Sequence, residues 1–169
     1  WRIGQATENV IIRNCHFARW AITIGSEMSG GVRNIFIEDC KIDSCRNGIY
    51  FKSNLDRGGY FENLNMRRIE ADVCLWGGIN FRTNYHGYRG GNHPTLFRNI
   101  CIEDVTCNRV DSVALMANGL PEAKLYNITL RNIKVKQAPK AIQMDNVVNL
   151  TLDNVEVNGK RITSAEQED

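Results

Sequence analysis

What most constrains this chain is a hexapeptide that keeps returning: asparagine, apolar, any, apolar, any, then asparagine or aspartate. It stands at Asn9-Val10-Ile11-Ile12-Arg13-Asn14, Asn34-Ile35-Phe36-Ile37-Glu38-Asp39 and Asn99-Ile100-Cys101-Ile102-Glu103-Asp104. It stands again at Asn127-Ile128-Thr129-Leu130-Arg131-Asn132 and Asn149-Leu150-Thr151-Leu152-Asp153-Asn154, with a weaker copy, Asn63-Leu64-Asn65-Met66-Arg67-Arg68, in the middle. The leading asparagines lie 25, 29, 36, 28 and 22 residues apart. A kept motif with turns of varying length is the mark of a solenoid.

Each copy is followed by a second short β-branched run that ends at Gly, Asn or Asp. The predicted strand pairs are residues 10–13 with 21–24, 35–38 with 49–52, 64–67 with 79–82, 100–103 with 113–117, and 128–131 with 142–144. No helical period of comparable quality is present. A β-sandwich would need tight hairpins, and Asn47-Gly48, Asn118-Gly119 and Asn158-Gly159 do not fall between matched strands at hairpin distance. Parallel stacking fits better. The expected fold is all-β, a right-handed parallel β-helix of about six coils, with equivalent residues about 4.8 Å apart up the stack. Asparagines at the turns are expected to take the left-handed corner and to bond one another in a ladder. Residues 1–163 form one domain and 164–169 a polar tail. The array is entered in mid-repeat, so coils of a longer helix are expected to precede it. Either Trp1 and Ile3 form a minimal lid, or the first edge takes a partner, by self-association or from a missing N-terminal segment.

Composition excludes more than it names. The 21 basic and 19 acidic residues leave a net charge of +2, which argues against nucleic acid as a partner. No run of about 18 apolar residues offers a membrane helix. Trp1-Arg2-Ile3-Gly4-Gln5 shows neither the charged nor the apolar region of a signal peptide. The 6 cysteines contain no Cys-x-x-Cys pair, and His16, His86 and His93 show no ligand spacing with them, so no metal or cofactor is expected. In the repeat frame Cys15 and Cys40 share a register with Ile69, Val105, Ile133 and Val155, and Cys107 shares one with Phe17, Ile42 and Val135. Thiols standing in for Ile and Val are buried hydrophobes, a stacked disulfide being the alternative. Asn127-Ile128-Thr129 and Asn149-Leu150-Thr151 match the glycosylation sequon, but both asparagines hold ladder positions.

Ile24-Gly25-Ser26-Glu27-Met28-Ser29-Gly30-Gly31-Val32-Arg33-Asn34 and Phe51-Lys52-Ser53-Asn54-Leu55-Asp56-Arg57-Gly58-Gly59 resemble glycoside hydrolase family 28, the polygalacturonases, in the manner of its bacterial exo-acting members. Tyr85-His86-Gly87 and the repeated Arg-Asn-Ile segments support the likeness, which covers nearly the whole chain. It implies a parallel β-helix, a galacturonate-containing pectic substrate, and a secreted or periplasmic protein. It also implies inverting hydrolysis by aspartates of an Asn-x-Asp and an Asp-Asp motif, a chemistry that sets carboxyl groups about 6.5–9.5 Å apart. Both motifs would fall upstream of Arg2-Ile3-Gly4, so they are expected to be absent from this chain. The family's Gly-His-Gly falls on Ala18-Arg19-Trp20, which puts Arg19 at the histidine position. Its Arg-Ile-Lys falls on Tyr50-Phe51-Lys52 and keeps only the lysine.

No catalytic residue is certain on this reading. Glu27 is the first candidate and Asp56 the next, while Asp39, Glu103 and Asp104 belong to ladder positions. The bland reading of Glu27 is a turn carboxylate accepting backbone N–H bonds. The expected substrate contacts are Lys52, Arg19 and Arg57 as cations, Tyr50 and Tyr85 as stacking rings, His86 as a hydrogen-bonding group and Asn54 beside them. The expected function is the C-terminal, uronate-binding part of a polygalacturonase-like enzyme, inactive by itself. The alternatives are a non-catalytic module that binds pectic oligosaccharides and an assembly module.

Overall fold

The computed structural model describes residues 4–165. Within each repeat, alternation decides which side chains go in. Ile35, Ile37, Cys40 and Ile42 are buried, while Asn34, Asp39 and Lys41 between them face water. Such a period-two pattern makes a half-buried strand. The chain then turns at single residues in the left-handed region. Asn9, Asn34, Asn63, Asn99, Asn127 and Asn149 have φ of 55–59°, and Asn14, Asp39, Arg68, Asp104, Asn132 and Asn154 have φ of 50–55°. Asn and Asp visit this region at lower cost than other side-chain-bearing residues. A corner of one residue redirects the strand without breaking its pairing.

Five coils result, with a sixth in part: β1 (Thr7–Arg13), β2 (His16–Arg19) and β3 (Ile22–Gly25); β4 (Val32–Lys52); β5 (Tyr60–Arg82); β6 (Leu96–Val110) and β7 (Val113–Asn118); β8 (Leu125–Val135) and β9 (Lys140–Asp145); and β10 (Val147–Val157). Coil stacks on coil in parallel, so Val10, Ile35, Leu64, Ile100, Ile128 and Leu150 form one column. This is the expected parallel β-helix. The asparagine ladder forms as well: each leading asparagine donates through Nδ2 to Oδ1 of its counterpart one coil earlier, at 2.8–3.3 Å. Asn127 and Asn149, the sequon asparagines, are members of it.

Phenylalanine dominates the middle of the core. Phe51 stacks on Phe81 at 4.8 Å between centroids, and Phe61 lies 4.7 Å from Phe97. All four are fully buried, each such side chain contributing about 1.5–3 kcal/mol of transfer free energy. The cysteines take the predicted columns, with Cys107 between Ala71 and Val135. All six are free thiols, and Cys45, Cys74 and Cys107 stack through the interior at 3.6 and 3.8 Å between sulfurs. Hydrogen bonding to Cys107 and Cys45, together with burial, pushes the Cys74 thiol far up.

Two expectations need correction. The strand pair predicted at 10–13 and 21–24 leaves residues 14–20 as a connector, yet His16–Arg19 is a strand and β4 runs unbroken through its corners, so each coil has three paired faces. The corner residue costs the ladder nothing, which is why the connector stays paired. The Asn-Gly steps were read as unrelated to hairpins, yet Asn158-Gly159 joins β10 to β11 (Lys160–Ile162) in an antiparallel pair. Its φ values of 55° and 75° are those of a type I′ turn, whose twist suits a two-residue hairpin. Asn118-Gly119 is followed by an antiparallel bridge between Leu120 and Ala123. In the first coil Val10, Ile12, Phe17 and Ile24 are only half-buried, around a cavity of about 310 Å³. Trp1 and Ile3, the suggested lid, and residues 166–169 of the tail lie outside the described residues.

The third face carries the site. There Ile49, Phe51, Ile79 and Phe81 point inward. Their neighbours, in the columns Thr23–Tyr50–Asn80–Met116–Gln143 and Gly25–Lys52–Arg82–Asn118–Asp145, therefore point outward.

Candidate functional site

Two excursions beyond the third face build a wall. Residues 53–59 follow Lys52, and residues 83–95 follow Arg82 one coil later. Backbone bonds tie them together: Tyr85 N–H donates to the Ser53 carbonyl at 2.8 Å, His93 N–H to Leu55 at 2.7 Å and Gly58 N–H to His93 at 2.8 Å. Asn54 is buried, and its Nδ2 donates to the carbonyls of Tyr85 and His86 at 3.2 and 3.4 Å. The Asp56 carboxylate accepts from the N–H groups of Arg89 and Gly91 at 2.6 and 2.8 Å. Loss of water works against ionisation of Asp56, but these amide donors and the charges of Arg57 and Arg89 outweigh it and hold its carboxyl below the usual range. On the other side, the turn after β3 needs glycine: Gly25 has φ of 98°, and a Cβ there would stand 2.1 Å from the Lys52 carbonyl oxygen.

Between turn and wall lies a cleft of about 760 Å³, lined by Ser26, Glu27, Lys52, Asp56, Arg57, Tyr85, His86, Gly87, Arg89, Gly90, Gly91 and His93. Lys52 Nζ sits 4.6 Å from the centre of the Tyr85 ring, and Tyr85 packs on His86 at 4.0 Å. Among the described residues no carboxylate pairs with Lys52, which leaves a cation facing the cleft. Glu27 Oε1 accepts from Ser26 Oγ at 3.1 Å and lies 3.2 Å from Arg57 Nη2. It serves as the guanidinium's counter-ion.

A second hollow of about 500 Å³ adjoins the first along the same face and shares Tyr85 and His86 with it. Its other side is made by Trp20, Arg46 and Trp76, over a floor of Tyr50, Asn80 and Arg82.

Of the residues read from sequence, Lys52, Arg57, Tyr85 and His86 come together, with Glu27 and Asp56 beside them. Three do not serve as expected. Arg19 is exposed at a corner with φ of 60° and lines neither hollow; the next residue, Trp20, does. Tyr50 is 5% exposed, so its ring is floor and not platform. Burial pushes its phenol up, against a hydrogen bond with Arg82. The Asn54 amide is consumed in holding the wall. Sequence reading passed over Trp20, Arg46, Trp76, Asn80 and Arg82 as site residues. The signal was available: Trp20, Arg46 and Trp76 follow the paired Arg19, Cys45 and Cys74 by one or two positions in successive coils.

The two hollows lie side by side on one outward face of a parallel solenoid and bring Lys52, Arg46 and Arg82 together with the rings of Trp20, Trp76 and Tyr85. This chain belongs to the glycosyl hydrolases family 28, whose model matches residues 2–152. It is 30% identical over 146 residues to a probable polygalacturonase of Vitis vinifera, covering 82% of this chain and 29% of that protein. It is 28% identical over 166 residues to a polygalacturonase of Ralstonia nicotianae, covering 92% of this chain and 27% of that one. The fold matches the crystal structure of a hyperthermoactive exopolygalacturonase from Thermotoga maritima with a TM-score of 0.81 at 21% identity, over 90% of this chain and 34% of that chain. The chain thus spans about a third or less of the length of these relatives.

Proposed function

We propose that this chain is the uronate-binding portion of a polygalacturonase-type glycoside hydrolase, and that the proton-transferring aspartates lie outside it. The observation that carries the reading is the Lys52 ammonium, facing the cleft beside Arg57, Tyr85 and His86 with no carboxylate paired to it among the described residues. An unpaired cation in a cleft favours an anionic ligand, and a guanidinium nearby offers a planar fork for a carboxylate. Membership of the family supports a galacturonate-containing chain as that ligand. Calorimetric titration with oligogalacturonides is expected to show binding that weakens about tenfold or more in Lys52→Ala. Equal affinity of the variant would defeat the assignment.

The non-catalytic reading has its own support. Inversion needs two carboxyl groups with room for water between them, and Glu27 and Asp56 are both committed, one to Arg57 and one to the 83–95 wall. The chain by itself is expected to release no reducing ends from oligogalacturonides or rhamnogalacturonan fragments. Release that disappears in Glu27→Gln would show an acid group here after all.

A further inference from the structure

The interior holds a group of side chains that binding in the cleft leaves unused. Cys45, Cys74 and Cys107 come from β4, β5 and β6, three successive coils, and all three are buried. Their sulfurs lie 3.6 and 3.8 Å apart, with Cys74 in the middle. Cys45 and Cys74 are also backbone partners in the parallel register. Strand spacing therefore sets their Cα atoms about 4.8 Å apart, inside the range of about 4.4–6.8 Å that a disulfide spans. Cys107 differs, because its register partner in β5 is Ala71, while Cys74 pairs with Val110. Beside Cys74 and Cys107 lies a void of about 20 Å³, with Gly48, Gly78, Ala71 and Ala114 on its wall. That is room for roughly one water-sized molecule. Gly48 keeps it open, since a Cβ there would stand 2.8 Å from the Gly78 carbonyl oxygen and 3.1 Å from Cys74 Sγ. Cys15 and Cys40 are engaged elsewhere: each donates to a main-chain carbonyl two residues back, of Arg13 and Glu38, at 3.3 and 3.1 Å.

We infer that Cys45 and Cys74 are a redox-responsive staple between the second and third coils, closed when a small peroxide oxidises them. The reaction has two steps. The Cys45 thiolate attacks one oxygen of hydrogen peroxide and the O–O bond breaks. Hydroxide leaves, takes up the proton that the thiol gave, and Cys45 becomes a sulfenic acid. Cys74 Sγ then attacks the Cys45 sulfur, the S–O bond breaks, and the hydroxyl leaves as water with the Cys74 proton. Two thiols and one peroxide thus give one disulfide and two waters. Cys45 reacts first because a hydrogen bond from Cys74 lowers its thiol against the effect of burial, while Cys74 holds its own proton. Cys74 is the sulfur shared by both close contacts, so the stack closes one bridge at a time and keeps one thiol. The bridge ties β4 to β5, the strands that lead into residues 53–59 and 83–95. It is independent of what the cleft binds.

Peptide mapping tests this on the unaltered chain, Cys74→Ala and Cys107→Ala, each fully reduced and then exposed to a small excess of hydrogen peroxide under folding conditions. Remaining thiols are alkylated in denaturant, and the digest is compared with and without reduction. The unaltered chain is expected to lose two of its six alkylatable thiols and to yield one linked pair, Cys45 with Cys74. Because the bridge joins positions 29 residues apart, the thermal midpoint should rise by about 5–10 °C, and reductant should return it. Reductant given to the free-thiol protein, before any peroxide, changes nothing. Cys107→Ala should keep the link and Cys74→Ala should abolish it. Six alkylatable thiols after peroxide overturn the staple, as does Cys45 recovered as a sulfinic acid with no link. A link between Cys15 and Cys40 alone, or one through Cys107 in the unaltered chain, also overturns it. So does a link that forms only in denaturant, since the folded spacing is then not its cause. The unaltered chain decides these outcomes by itself, so a variant that fails to fold leaves the test intact.

Discussion

Asp56 shows how a residue that looks chemical in the sequence becomes architectural in the fold. Its carboxylate gathers two N–H groups of the 83–95 wall, so Asp56→Ala is expected to loosen that wall and weaken oligosaccharide binding several-fold with little change in thermal stability. The pH dependence has a definite sign. Because the folded carboxyl lies below its ordinary value of 3.8, its contribution is whole above that value and fades as the pH falls through the folded one. Binding measured down an acid series is expected to drop in that range, and Asp56→Ala should flatten this part of the curve. Gly25 makes the complementary point, since neither its φ of 98° nor its distance from the Lys52 carbonyl leaves room for a side chain. Gly25→Ala is expected to lower stability by about 2 kcal/mol or more in denaturant titration. Lys52, Arg57, Tyr85 and His86 could be read from the sequence because a family likeness pointed to their loops. Asn54 and Tyr50 could not be sorted from them, because loop cross-bonds and the depth of a ring depend on the neighbouring coil.

At the scale of elements, the asparagine ladder is where sequence and structure agree most closely. Its motif repeats because one backbone conformation and one side-chain bond are required at the same place in every coil. Asn99 donates to Asn63 at 3.2 Å and accepts from Asn127 at 2.8 Å, at φ of 58°. Asn99→Ala loses both bonds and puts an alanine in the left-handed region, for an expected loss of about 1–3 kcal/mol. Asn99→Gly keeps the corner at ease and should cost less, so the pair of variants separates conformation from bonding in one denaturation experiment. The second corner column was harder to read, because Arg68 interrupts it. Arg68 grips Asp39 through two bonds of 2.6 and 2.8 Å and reaches Glu38 at 2.6 Å, where Arg67 also binds. Hydrogen bonds from Arg67 and Arg68 hold the Glu38 and Asp39 carboxyls below their usual range. Charged groups replace amides there without disturbing the turn. The connectors between predicted strands were missed for the same reason: a corner of one residue leaves no gap in pairing for a sequence to announce.

Across the whole molecule, the stack of coils was legible from spacing alone, whereas the two hollows were not, since each joins side chains from several coils and from loops of unequal length. The interior thiols belong to the stack. With all six free, the midpoint of thermal unfolding is expected to stay the same with and without a reducing agent, and a reductant-sensitive shift would contradict the buried-hydrophobe role. The half-buried Val10, Ile12, Phe17 and Ile24 line a cavity in the first coil, where the core packs less tightly than in the coils above it. The small hairpin at the other extremity closes part of a strand edge. β11 runs against β10 along residues 155–157, on the margin where another ascending strand would have to add. Along residues 155–157 that margin of β10 is therefore already paired, and no parallel strand can add there without displacing the hairpin.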